Sequence, residues 1–149
     1  MTLSVHVVRP PIGEELDVLH TYERIYRSID VAAELWRLLD GEEAAKQIES
    51  VVASAFEHEP ARLETGQIAA LLALVEPLDK AIVGPLTDAD ERLSAEMISM
   101  LRGRTDVFDL DEARGEDAHW AVSEAMVGIT NLQRILRDAL TEGAFLVFE

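Results

Sequence analysis

The chain is expected to be an α+β protein, predominantly helical, with about five to six helices and a small sheet formed by its N- and C-terminal strands. Its two ends and its interior carry different patterns. At the start, Leu3, Val5 and Val7 alternate with Ser4 and His6, the period-two pattern of a strand, until Pro10-Pro11 stops it. At the end, Ala144–Phe148 follows Gly143, a residue that favours helix termination, and is too short and too aromatic for a further helix. Between them, apolar residues recur almost throughout at steps of three and four. Two strands do not stand alone in water, so the terminal strands should pair with each other, or with Val107–Leu110, against the helices.

In chain order, residues 13–28 carry Leu16, Leu19, Tyr22 and Tyr26 at helical steps, continued by Ile29. Asp30 is placed to cap a short helix running through Leu39, with Asp40-Gly41 as the turn. Residues 42–58 give the cleanest amphipathic pattern. Ala44, Ala45, Ile48, Val51, Val52, Ala55 and Phe56 fall on one stripe, and Glu42, Glu43, Lys46, Glu49 and Glu57 on the other. Residues 64–83 are apolar nearly all round, which marks the most buried helix, kinked or divided at Pro77 and ended at Gly84-Pro85. Thr87 and Asp90 form a candidate capping pair for a helix through Leu101. Gly103–Gly115 is a loop, with Val107–Leu110 as a candidate extended piece. The last helix runs from about Glu116 to Thr141, with Val122, Met126, Ile129, Leu132, Leu136 and Leu140 facing inward.

Composition narrows the function. The 149 residues suit one domain (1–149), and they carry 29 acids against 13 bases, a net charge of −16. Residues 1–75 hold 13 acids and 6 bases, and residues 76–149 hold 16 and 7, so the charge belongs to the whole body and not to a tail. Such a surface repels phosphate backbones and anionic membranes and attracts basic partners. With no cysteine, disulfides and thiolate metal sites are excluded. The longest apolar run, Ile68–Val75, has eight residues, far short of the ~20 that span a bilayer. The amino terminus does not read as a secretory signal, and the expected location is the cytoplasm.

Two acid-x-x-His steps, Asp17/His20 and Glu116/His119, fall on predicted helices. On a helix that spacing puts both side chains on one face, as in di-iron bundles. With four histidines and so many acids, chance accounts for such pairs, and further glutamates at matching depth would be required. The loop 106–117 holds Asp106, Asp109, Asp111, Glu112, Glu116 and Asp117 with one base. Its spacing fails the helix-loop-helix calcium pattern, which leaves a solvated loop or a patch that recognises a basic protein. Tyr22 and Tyr26, the two tyrosines, would lie one helical turn apart and suit an interface, including that of a homodimer; partial core packing is the plainer alternative. There is no Gly-x-Ser-x-Gly elbow and no phosphate-cradling glycine loop.

The segments Glu59–Leu72 and Asn131–Phe148 resemble the YfbM-like family of small bacterial α+β proteins, in which a long last helix with a late Ala and Gly leads into a terminal strand. Ile29–Gly41, with Trp36, is similar to that family's early Trp-containing helix. The resemblance implies a fold and no catalytic residues. The expected function is that of a non-enzymatic acidic binding protein, of the immunity or antitoxin kind, for a basic protein partner, with no cofactor, no nucleic acid and no membrane. The alternative is a metal-dependent enzyme built on Asp17, His20, Glu116 and His119.

Overall fold

A computed structural model of the protein describes residues 4–23, 25–38, 41–78 and 116–149; of 38 and 116–126 the backbone alone is described. The elements in order are β1 (Val5–Arg9), β2 (Asp17–Tyr22), α1 (Ile25–Leu38), α2 (Glu42–Ala55), β3 (Arg62–Leu63), α3 (Thr65–Val75), α4 (Glu116–Glu142) and β4 (Phe145–Phe148). The expected helix from Thr87 to Leu101, the loop Gly103–Gly115 and the extended piece Val107–Leu110 lie outside the described residues.

The α+β class holds in broad terms, but the detailed expectation is corrected twice. The described residues contain four helices, not five to six, and the sheet has four strands, not the two terminal ones alone. Its order is β2-β1-β4-β3, with every neighbouring pair antiparallel. The terminal strands do pair, Val5 opposite Phe148 and Val7 opposite Leu146.

The helix expected over 13–28 is the source of one error. Asp17–Tyr22 is a strand hydrogen-bonded to β1. Val7 faces His20 while Val8 faces Val18, so Leu19 is an extra residue at a bulge. The bulge resets the strand's alternation. Leu16, Leu19 and Tyr22 are therefore the half-buried positions, three apart, and a bulged strand imitates a helical period. The second error concerns Asp30. It does not cap a helix; it lies inside α1, about one and a half turns from Ile25.

One sheet face, bearing Val5, Val7, Leu63, Leu146 and Phe148, meets the helices in a single apolar cluster. Its helical side is built from Ile29, Leu35, Ile48, Ile68, Leu71, Leu132 and Leu136, all at 2% exposure or less. Helix α1 packs on α2 and α4, and α3 packs on α4 and α2. Of the stripe expected over 42–58, Ala45, Ile48, Val52 and Ala55 are buried, Ala44 and Val51 are half-buried, and Phe56, just past the end of α2, is exposed.

Local chemistry fixes how the elements join. Gly143, at φ +62°, ends α4 in the left-handed region that glycine enters without steric cost. Gly143 N–H donates to Leu140 O, and Ala144 N–H to Ala139 O at 2.8 Å, which closes the helix and turns the chain into β4. At the α1–α2 junction, a side chain on Gly41 would meet the Trp36 ring at 2.7 Å, so the turn needs glycine there. Trp36 Nε1–H in turn donates to Leu74 O at 2.7 Å, tying α1 to the end of α3.

Candidate functional site

The two amphipathic helices α1 and α2 leave a cleft of about 240 Å³ between them. Side chains spaced three and four apart line it from each side, because that spacing keeps them on one helix face. Ile29 and Ala33 of α1 and Ile48 and Val52 of α2 form an apolar floor. Tyr26 and Phe56 form an aromatic wall at one end. Asp30 and Glu49 stand on the rim, one from each helix.

The wall is tied to the sheet. Phe56 stacks on Phe148 with centroids 5.8 Å apart, and Tyr26 meets both rings edge-on, at 6.3 Å from Phe56 and 6.0 Å from Phe148. Such offset and edge-on pairs are favoured by the ring quadrupoles. Phe56 nevertheless remains 48% exposed. A ring of that size, rigidly backed and open to solvent, is the kind of side chain that anchors protein contacts.

The rim is electrostatically uneven. Arg37 of α1 donates to Glu34 at 2.9 Å and to Glu42 at 3.2 Å, and it is bonded to Glu49. Its hydrogen bond to Glu49 is the main reason its guanidinium holds its proton more tightly than usual. Glu49 is therefore already engaged. Asp30 has no hydrogen-bonded or ion-paired partner among the described residues. Although it sits at the surface, the apolar surroundings desolvate its carboxyl and raise its pKa above the ordinary value, and the charges of Glu49 and Glu34 push the same way. Burial also raises the Tyr26 hydroxyl, with the Asp30 charge adding to it.

The residues expected to form sites are placed differently. Asp106, Asp109, Asp111 and Glu112 lie outside the described residues. Glu116, Asp117 and His119 belong to α4, where their backbone alone is described. Asp17 and His20 are on a strand and not a helix, so the one-turn spacing that would aim both at a metal does not exist. In the ladder they stand opposite Arg9 and Val7, two rungs apart, roughly 7 Å along the strand. Asp17 is paired with Arg9 at 3.7 Å. Among the described residues no three acids or histidines gather closely enough to hold a metal ion.

Tyr22 and Tyr26 are likewise not one turn apart on one helix. Tyr22 ends β2 and Tyr26 is in α1; both are half-buried and packed against the core. Tyr26 does reach a functional candidate, but as part of the cleft wall. Asp30, Glu49 and Phe56 are the cleft residues that sequence reasoning missed. For the two acids the signal is a carboxylate on each amphipathic helix, which becomes part of a site only when α1 and α2 pack side by side; Phe56 was expected on the buried stripe and is exposed instead.

Among the described residues no helix is long and apolar enough to cross a membrane. Compared with known proteins, the chain matches no family model, no curated protein and no solved structure. The functional reading therefore rests on the residues and geometry of the chain itself.

Proposed function

We propose that the protein is a non-enzymatic acidic binding protein whose partner is a basic protein, an arrangement of the immunity or antitoxin kind. The observation that carries this reading is the charge. A surplus of 16 acids is spread over both halves of the chain. Several of its few bases are already neutralised within it: Arg37 by three glutamates, Arg9 by Asp17, Arg62 by Glu64 and Arg137 by Glu76. What such a surface presents outward is negative potential, which steers a basic partner in and turns nucleic acid and anionic lipid away. The α1–α2 cleft supports the same reading. It combines apolar and aromatic surface with a carboxylate, Asp30, that has no hydrogen-bonded or ion-paired partner among the described residues.

The test is affinity capture at low salt from the cells that make the protein, followed by purification of what is captured and titration of the pure pair. The expected partner is strongly basic, binds in a one-to-one or similarly fixed ratio, and is released by salt. A neutral or acidic partner, or purified protein that turns over a substrate without any partner, would overturn the reading.

A further inference from the structure

We infer that the α1–α2 cleft is the seat for one arginine side chain of the basic partner, an inference that rests on the function proposed above. Four features of the cleft select that group. Its volume of about 240 Å³ lies below the roughly 300–1,000 Å³ of pockets that enclose drug-sized ligands, so it suits a single side chain and not a nucleotide or cofactor. Its floor of Ile29, Ala33, Ile48 and Val52 would cover an aliphatic stem. Its wall offers the rings of Tyr26 and Phe56, on which a planar cation stacks. Its rim holds Asp30, whose carboxylate is free to accept from a guanidinium.

Arginine is chosen over lysine for physical reasons. A guanidinium is weakly hydrated and flat, so it enters a part-apolar, aromatic site at lower cost than an ammonium, which keeps its water shell. The chain also contains its own precedent. Arg37 lies in the same acid-rich seam and satisfies Glu34 and Glu42 while bonded to Glu49. It engages Glu49 on that side of the rim and leaves Asp30 without such a partner among the described residues. The exposed face of Phe56, a large ring left in solvent beside an unpaired acid, is then explained as half of a recognition pair, because arginine and aromatic residues dominate binding energy at interfaces.

The experiment titrates the protein, observed by NMR, with N-acetyl-argininamide and separately with N-acetyl-lysinamide, in wild type and in the Asp30→Asn and Phe56→Ala variants. Signals of Tyr26, Asp30 and Phe56 should follow one saturating curve with the arginine probe at millimolar concentration. Lysine should bind at least about fivefold more weakly, and each variant should lose about fivefold or more for arginine. The comparison of the two probes on wild type does not depend on how the variants fold. Arginine and lysine shifting signals equally, spread over the acidic surface and unchanged by the variants, would overturn the seat while leaving the acidic surface as the recognition element. Arginine bound in the cleft by a chain whose captured partner is not basic would instead overturn the function, and with it the assignment of the arginine to that partner.

Discussion

At the scale of single residues, Asp30 carries most of the account. Its carboxyl is desolvated over the cleft and faces the charges of Glu34 on its own helix and Glu49 on the next, with the Tyr26 ring beside it. Folding therefore makes its ionised form less favourable than in the unfolded chain, and its pKa is higher in the folded state. A carboxyl of this kind binds its proton more tightly when folded, so stability falls as pH rises from the ordinary aspartate range of about 4 through the raised folded value. Above that value the penalty is complete. Asp30→Asn removes it, so the variant should melt higher than wild type at pH 7, with the gain shrinking as pH approaches about 4. Thermal melts across that range measure this. A variant less stable at pH 7 would mean that Asp30 makes a stabilising contact and is not held ready for a ligand. The coupling is informative because the same substitution is expected to weaken arginine binding. A group that costs stability and supports recognition is a frequent signature of a functional site.

At the scale of elements, the junction of α3 and α4 shows a buried polar group at work. Gln133 of α4, 1% exposed, donates from Nε2 to Val75 O at 3.1 Å and to Glu76 O at 3.4 Å. Val75 ends α3 and Glu76 is its C-cap, so this side chain ties α4 to the end of α3. Gln133→Leu keeps the volume and removes the donor, so it should cost about 1–3 kcal/mol, read from chemical denaturation. An unchanged midpoint would mean that those carbonyls are satisfied otherwise. How much of the elements could be read from sequence follows the same physics. Helix α2 was legible because its apolar stripe is regular, and the turn at Gly143 because glycine alone enters that backbone region freely. Strand β2 was not, because its bulge at Leu19 produces a three-residue step. Strand β3 is two residues long and has no period to detect; its partner β4 defines it. The cleft was illegible for a further reason. Asp30 followed by Val31, Ala32 and Ala33 looks like the start of a helix, and only the packing of α1 on α2 shows it to be a rim residue.

At the scale of the whole molecule, the proposal is that recognition divides into two parts. The distributed charge brings a basic partner in, and the cleft holds it once it has arrived. Long-range attraction acts mainly on the association rate and is screened by salt, whereas desolvated local contacts act mainly on dissociation. The strongest concentration of acid in the sequence, Asp106–Asp117, holds six acids and one base in twelve residues, and belongs to the first part. Neutralising Asp109, Asp111 and Glu112 together should slow association and flatten its dependence on salt. The most direct measurement is the association rate constant of the protein with its captured, purified partner, taken by stopped flow at several ionic strengths for wild type and for this triple Asn/Gln variant. The wild-type rate should fall steeply as salt rises, and the variant should be slower at low salt with a shallower slope. A wild-type rate that does not change with salt would contradict recognition through acidic charge.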